Sequence, residues 1–184
     1  MRVGMIRGGV AVGALMLMGG AADAQRVENG ARFGAWTVAC EAVAVNETIC
    51  VLTQRLVEAE GQGFLTELLA FNDADEAQAW VVARVPLGVH FPGGFALQPE
   101  GDETPLAFEW QSCAPQLCEA LLPVDAAALA ALEVSDGAVA GYVPAPGEAP
   151  VVFRVATEGL GDGLAALARA LGQPGVATGV AGDD

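Results

Sequence analysis

From Phe33 onward apolar and polar residues alternate in short runs broken by turn formers, the pattern of half-buried β-strands. Trp36, Val38 and Cys40 share one face of the first run, while Thr37, Ala39 and Glu41 share the other. The pattern predicts strands at Phe33–Glu41, Thr48–Val57, Phe64–Phe71, Ala79–Pro86 and Phe95–Gln98, then a further alternation through Leu106, Phe108 and Trp110. Asn72-Asp73, Pro92-Gly93-Gly94 and Pro99-Glu100-Gly101-Asp102 separate these runs with residues that tolerate or preset turn dihedrals. From Pro123 to Glu133 the alternation breaks: Asp125 can cap backbone N–H groups, and Leu129 and Leu132 follow at helical spacing. Ala138–Val143 and Val151–Ala156 read as a closing strand pair, and Leu160, Leu164, Leu167 and Leu171 place a second helix over Leu160–Leu171. About eight short strands and two helices predict a mainly β fold. We expect an antiparallel β-sandwich or barrel-like domain with one short internal helix and a C-terminal helix.

The N-terminus changes the picture of where this domain works. Arg2 and Arg7 precede an apolar stretch from Val10 to Met18, and Ala22-Asp23-Ala24 supplies a small-residue exit, so residues 1–24 read as a secretion signal cleaved near Ala24. That stretch is shorter than the ~20 residues needed to span a bilayer, and no later segment is long and apolar enough. Residues 25–172 are then expected to form one β-rich domain, with 173–184 a disordered tail. An exported chain meets an oxidising compartment, where Cys40 with Cys50 and Cys113 with Cys118 read as two disulfides closing short loops. The competing reading is a zinc site, which the single histidine and the ligand spacing disfavour.

Charge narrows the partners. The formal net charge is −15, and all eight basic residues are arginine. Such a field repels nucleic acid and anionic lipid, leaving cations, basic proteins or simple solubility as its meaning.

Five blocks together resemble one family: Phe33-Gly34-Ala35-Trp36-Thr37-Val38-Ala39-Cys40-Glu41; Cys50; the run Val85 to Gln98; Phe108-Glu109-Trp110-Gln111-Ser112-Cys113; and Cys118-Glu119-Ala120 leading into Asp125 to Leu132. In order and spacing they are similar to the invasion-associated locus B family of secreted bacterial proteins. The resemblance implies an exported, β-rich domain of the periplasm or envelope of a Gram-negative bacterium, with no established catalytic activity, catalytic residues or cofactor. The lack of lysine and the strong acidity depart from the family's usual balance.

The remaining candidates for chemistry are sparse. His90 is the one histidine and sits in a strand-end setting beside Pro92-Gly93-Gly94. Glu109 and Glu119 could face each other across the Cys113/Cys118 hairpin, as a paired-acid hydrolase would need. Asn72-Asp73-Ala74-Asp75-Glu76 has the alternating acids of a calcium loop without its glycine and distant glutamate. Asn46-Glu47-Thr48 reads as a polar turn. A redox role for Cys113 and Cys118 lacks the C-x-x-C spacing at a helix start. The expectation is therefore a non-enzymatic protein with no metal or cofactor site, acting on an unknown envelope or host protein by surface contact. The contact segment is expected at Leu87, His90, Phe91 and Phe95, the competing reading for Leu87, Phe91 and Phe95 being core packing. An acidic small-ligand or cation-binding periplasmic module is the alternative function.

Overall fold

The computed structural model of the chain describes residues 27–45, 47–59 and 63–176. The proposed signal segment, Asn46 and residues 177–184 lie outside them. Ten strands form one curled antiparallel sheet: β1 (Arg32–Phe33), β2 (Trp36–Ala44), β3 (Glu47–Val57), β4 (Phe64–Asn72), β5 (Ala79–Pro86), β6 (Phe95–Pro99), β7 (Leu106–Cys113), β8 (Leu117–Val124), β9 (Ala138–Tyr142) and β10 (Val151–Val155). Their spatial order is β1-β2-β3-β4-β5-β8-β7-β6-β9-β10. Helices α1 (Ala126–Val134) and α2 (Leu160–Leu171) match the two expected from leucine spacing. Asp125 caps α1 as anticipated, its carboxylate accepting the Ala128 N–H at 2.8 Å.

One predicted strand is two. The run expected from Phe33 to Glu41 is interrupted because Gly34 adopts φ +55°, a left-handed turn that folds β1 back on β2. A side chain at Gly34 would also overlap the backbone carbonyl of Glu158, just before α2. Close approach of two backbones thus explains the glycine in Phe33-Gly34-Ala35-Trp36.

The sheet bends at β7. Leu106, Ala107 and Phe108 pair with β6, whereas Glu109 through Cys113 pair with β8, so a single strand serves both halves of the sheet. A register shift between Trp110 and Ser112 marks a bulge on the β8 side. Inward residues of both halves meet in the core: Trp36, Val38, Leu52, Leu68, Val81 and Val85 from one, Phe95, Leu97, Tyr142 and Phe153 from the other. Phe95 and Phe108 pack edge to face with centroids 4.8 Å apart. Leu160, Leu164 and Leu167 of α2 and Leu129 and Leu132 of α1 fill the rest. Gly163 lets α2 lie close on β3, since a Cβ there would stand 2.6 Å from Leu52.

Two polar side chains tie the assembly across long sequence gaps. Asn72 Nδ2 donates to the Leu164 carbonyl at 2.9 Å, fixing α2 on the end of β4. Gln54, only 8% exposed, donates to the Ala156 carbonyl at 2.9 Å and accepts the Ala156 N–H at 3.3 Å. The Gln54 amide therefore substitutes for a backbone bridge between β3 and the chain leaving β10. Just beyond α2, Gln173 N–H bonds to the Ala168 carbonyl, and Val176 packs against the core.

Candidate functional site

Leu87, His90, Phe91 and Phe95 do not act as a set. Phe95 is 1% exposed and belongs to the core, which corrects its place in the expected contact segment. An inward strand position beside Phe108 and Tyr142 gives it no outward face. Leu87 and Phe91, by contrast, are 51% and 48% exposed, so the core alternative fails for them. They are carried by the connection from β5 to β6, which contains a single 3-10 turn, Phe91–Gly93, opened by Pro92. The loop is held at several points: His90 N–H donates to the Val143 carbonyl at 2.8 Å, and Gly94 N–H to the Phe91 carbonyl at 3.0 Å. Gly93 abuts Val143, where a Cβ would come to 2.7 Å. The Phe91 ring stacks on Trp110 with centroids 5.4 Å apart. These contacts present two large apolar side chains on a well-anchored loop.

Both cysteine pairs are disulfides in the sequential pairing. Cys40 faces Cys50 directly across β2 and β3, and Cys113 faces Cys118 across β7 and β8, with Cα atoms 4.1 and 4.0 Å apart. Each sulfur is bonded to its partner, so the zinc reading falls. The bridges clasp two hairpins separated in the sheet by β4 and β5.

The other candidates are structural. Glu109 lies opposite Leu121 and Glu119 opposite Ser112, so the expected pair of acids does not form. The Cys113/Cys118 pairing alone would set Glu109 opposite Leu122, and the bulge between Trp110 and Ser112 moves it by one residue, to Leu121. Glu119 instead accepts from Arg84 Nε at 2.8 Å, and Arg84 Nη1 lies 3.4 Å from Glu67. Burial alone would lower the pKa of Arg84, but these two carboxylates outweigh it and hold the guanidinium above its ordinary value. His90 is held through its backbone, its N–H on the Val143 carbonyl and its own carbonyl accepting the Gly93 N–H, and its side chain makes no capping bond to the 3-10 turn. The acidic loop after β4 is a turn built around Asp73: Oδ1 accepts the N–H groups of Asp75 and Glu76, and Oδ2 accepts Trp80 Nε1–H at 2.9 Å. The Trp80 bond, followed by the two backbone donors, holds the Asp73 carboxyl below the ordinary range.

Structure also reveals an acidic cleft that sequence reasoning missed. Glu133, Asp136, Glu158 and Asp162 line about 440 Å³ beside the start of α2. They are brought together from α1, two connections and α2, and no local motif announces that meeting. Among the described residues no group of three or more His, Cys, Asp or Glu side chains is placed to hold a metal ion.

Residues 36–168 match the family described as Invasion associated locus B (IalB) protein. The chain belongs to this family. Its fold is similar to that in the crystal structure of invasion associated protein b from Bartonella henselae, with a TM-score of 0.62 at 20% identity, over 74% of this chain and 92% of that one. No curated protein matches it. IalB membership and two disulfides agree with an extracytoplasmic protein. Among the described residues no helix is long and apolar enough to cross a membrane.

Proposed function

We propose that this IalB-family chain is an exported, non-enzymatic protein of the periplasm or cell envelope that acts by contact with another protein. The observation that carries the reading is the pair Leu87 and Phe91: large, about half exposed, and mounted on a loop whose backbone is pinned to Val143. Preformed loops bearing apolar side chains lose little entropy on docking, and partly exposed apolar anchors on a rigid scaffold suit a protein partner. That Glu109 and Glu119 are not register partners favours a role without catalysis, and the signal-like leader supports export. A relative called invasion associated protein b makes a host-contact role worth testing beside envelope maintenance.

The test uses the oxidised mature chain as bait against envelope extract and host-cell surface protein, beside a Leu87→Ser/Phe91→Ser variant. A partner recovered by the unaltered chain and lost by the variant, at similar melting temperature, is the expected result. Retention of the partner by the variant would overturn the loop assignment.

A further inference from the structure

The outer face of the sheet carries the wrong surface for one that meets only water. Antiparallel sheets with one solvated face normally alternate apolar inward and polar outward. Here Leu69, Val82 and Leu121 are register neighbours in a row across β4, β5 and β8, each half-buried on the side opposite the fully buried Leu68, Ala83 and Ala120. At this row both faces of the strands are apolar, and the next outward row is the charged one of Glu67, Arg84 and Glu119. Beyond the Cys40–Cys50 clasp, the β2–β3 hairpin continues as an arm whose residues are largely exposed, including Val43 and Ile49 at 51% each. A bulge between Ala42 and Ala44 bends the arm, and Val43 and Ile49 join Val51 and Leu69 in lining a groove of about 530 Å³. A second groove of about 400 Å³ runs beneath the tip of the Cys113–Cys118 hairpin. Arg84 lines both, so the two flank one side chain and are walled at the far ends by the two disulfide hairpins.

We infer that this outer-face groove binds an elongated, cationic and apolar segment of a partner protein. Charge chooses the occupant. Arg84 is the sole base lining the two grooves, it is already engaged by Glu67 and Glu119, and Glu41 adds a third carboxylate. The groove is therefore negative with an apolar floor. A second copy would bring another −15 toward it, and an anionic membrane would be repelled in the same way. Lysine or arginine alternating with apolar residues supplies both missing complements. This surface is separate from the loop bearing Leu87 and Phe91.

The probe is a labelled, end-blocked peptide of about four Lys-Leu repeats, with Lys-Ser and Glu-Leu peptides of equal length beside it, read by fluorescence anisotropy at roughly physiological salt, where long-range attraction is screened. The Lys-Leu peptide is expected to bind the oxidised full chain about tenfold or more tightly than Lys-Ser, and Glu-Leu not at all. Val43→Ser/Ile49→Ser should remove most of that advantage with little change in melting temperature, because both side chains are half exposed. Leu87→Ser/Phe91→Ser should leave it intact, which separates this site from the loop. Equal affinity for Lys-Leu and Lys-Ser, an unaffected Val43/Ile49 variant, or dimerisation of the chain through this face would overturn the assignment.

Discussion

Replacing Gln54 tests whether the curl of the sheet is held by one side-chain amide. Leucine is close to glutamine in size, so Gln54→Leu keeps the packing but removes both the bond to the Ala156 carbonyl and the bond from the Ala156 N–H. A typical hydrogen bond contributes a net 0.5–1.5 kcal/mol or so, and the pair therefore about 1–3 kcal/mol. Ala156 itself is exposed and water can reach its freed groups, which argues against the larger cost of a sealed, unsatisfied pair. In a domain of this size each kcal/mol moves Tm by about 2–4 °C, giving a fall of roughly 2–12 °C. Thermal and urea unfolding of oxidised protein measure the loss, and hydrogen exchange at the Ala156 amide locates it. Gln54→Glu sharpens the logic, because a carboxylate can still accept the Ala156 N–H but meets the Ala156 carbonyl with repulsion. A Gln54→Leu loss below about 0.5 kcal/mol, or unchanged exchange at Ala156, would refute the bridging role.

Gly159 has φ +84° and lies against the Phe33 backbone, so Gly159→Ala should cost more than the ~1 kcal/mol expected for left-handed backbone alone, whereas Gly172→Ala, at φ +65° in open space, should cost only about that amount; paired melting curves check the difference. Phe91→Ser should lower stability by only about 0.5–1.5 kcal/mol, the value of an aromatic pair, because Phe91 caps Trp110 from outside the core; a collapse of the fold would contradict its exposure. The depressed pKa of Asp73 means that its contribution to stability is fully present above the unfolded value near 3.8 and is lost as pH falls through the lower folded value. Asp73→Ala should therefore lie below the unaltered chain in Tm at neutral pH and converge with it in strong acid; a gap that stays constant would remove the linkage.

Strand positions were legible because apolar alternation is a local signal, and the cap at Asp125 and the leucines of both helices were equally local. The break at Gly34 was hidden, since nothing near Phe33 announces that the Glu158 carbonyl will arrive there from far along the chain. Glu109 and Glu119 are not partners because register in a hairpin is counted from its turn: with Cys113 opposite Cys118, Glu119 meets Ser112, and Glu109 lies further along β8 at Leu121, a position that also depends on a bulge leaving no mark in apolar periodicity. Phe95 and Phe91 show the limit for the contact segment. Both are phenylalanines in one Gly-rich run, yet the strand carries one inward and the 3-10 turn leaves the other outside. The acidic cleft beside α2 and the Gln54 bridge depend on contacts between distant segments, so no window of sequence contains them.

The strand order also has a consequence for how the chain reaches this state. Strands β1 to β5 form a meander of adjacent hairpins, so they can assemble from contacts between sequence neighbours as soon as that half of the chain is free to fold. The neighbour of β5 on its other side is β8, more than thirty residues further on, from Ala79 opposite Val124 to Pro86 opposite Leu117. Until β8 docks, β5 is an unprotected edge eight residues long, with Arg84 its one charged side chain. The tight Cys113–Cys118 turn starts β8 and sets its first pair, so oxidation of these thiols shortens the search that closes this edge. In the reduced chain the same edge stays open longer, and aggregation during maturation, more than loss of the finished fold, becomes the main cost of losing that bond.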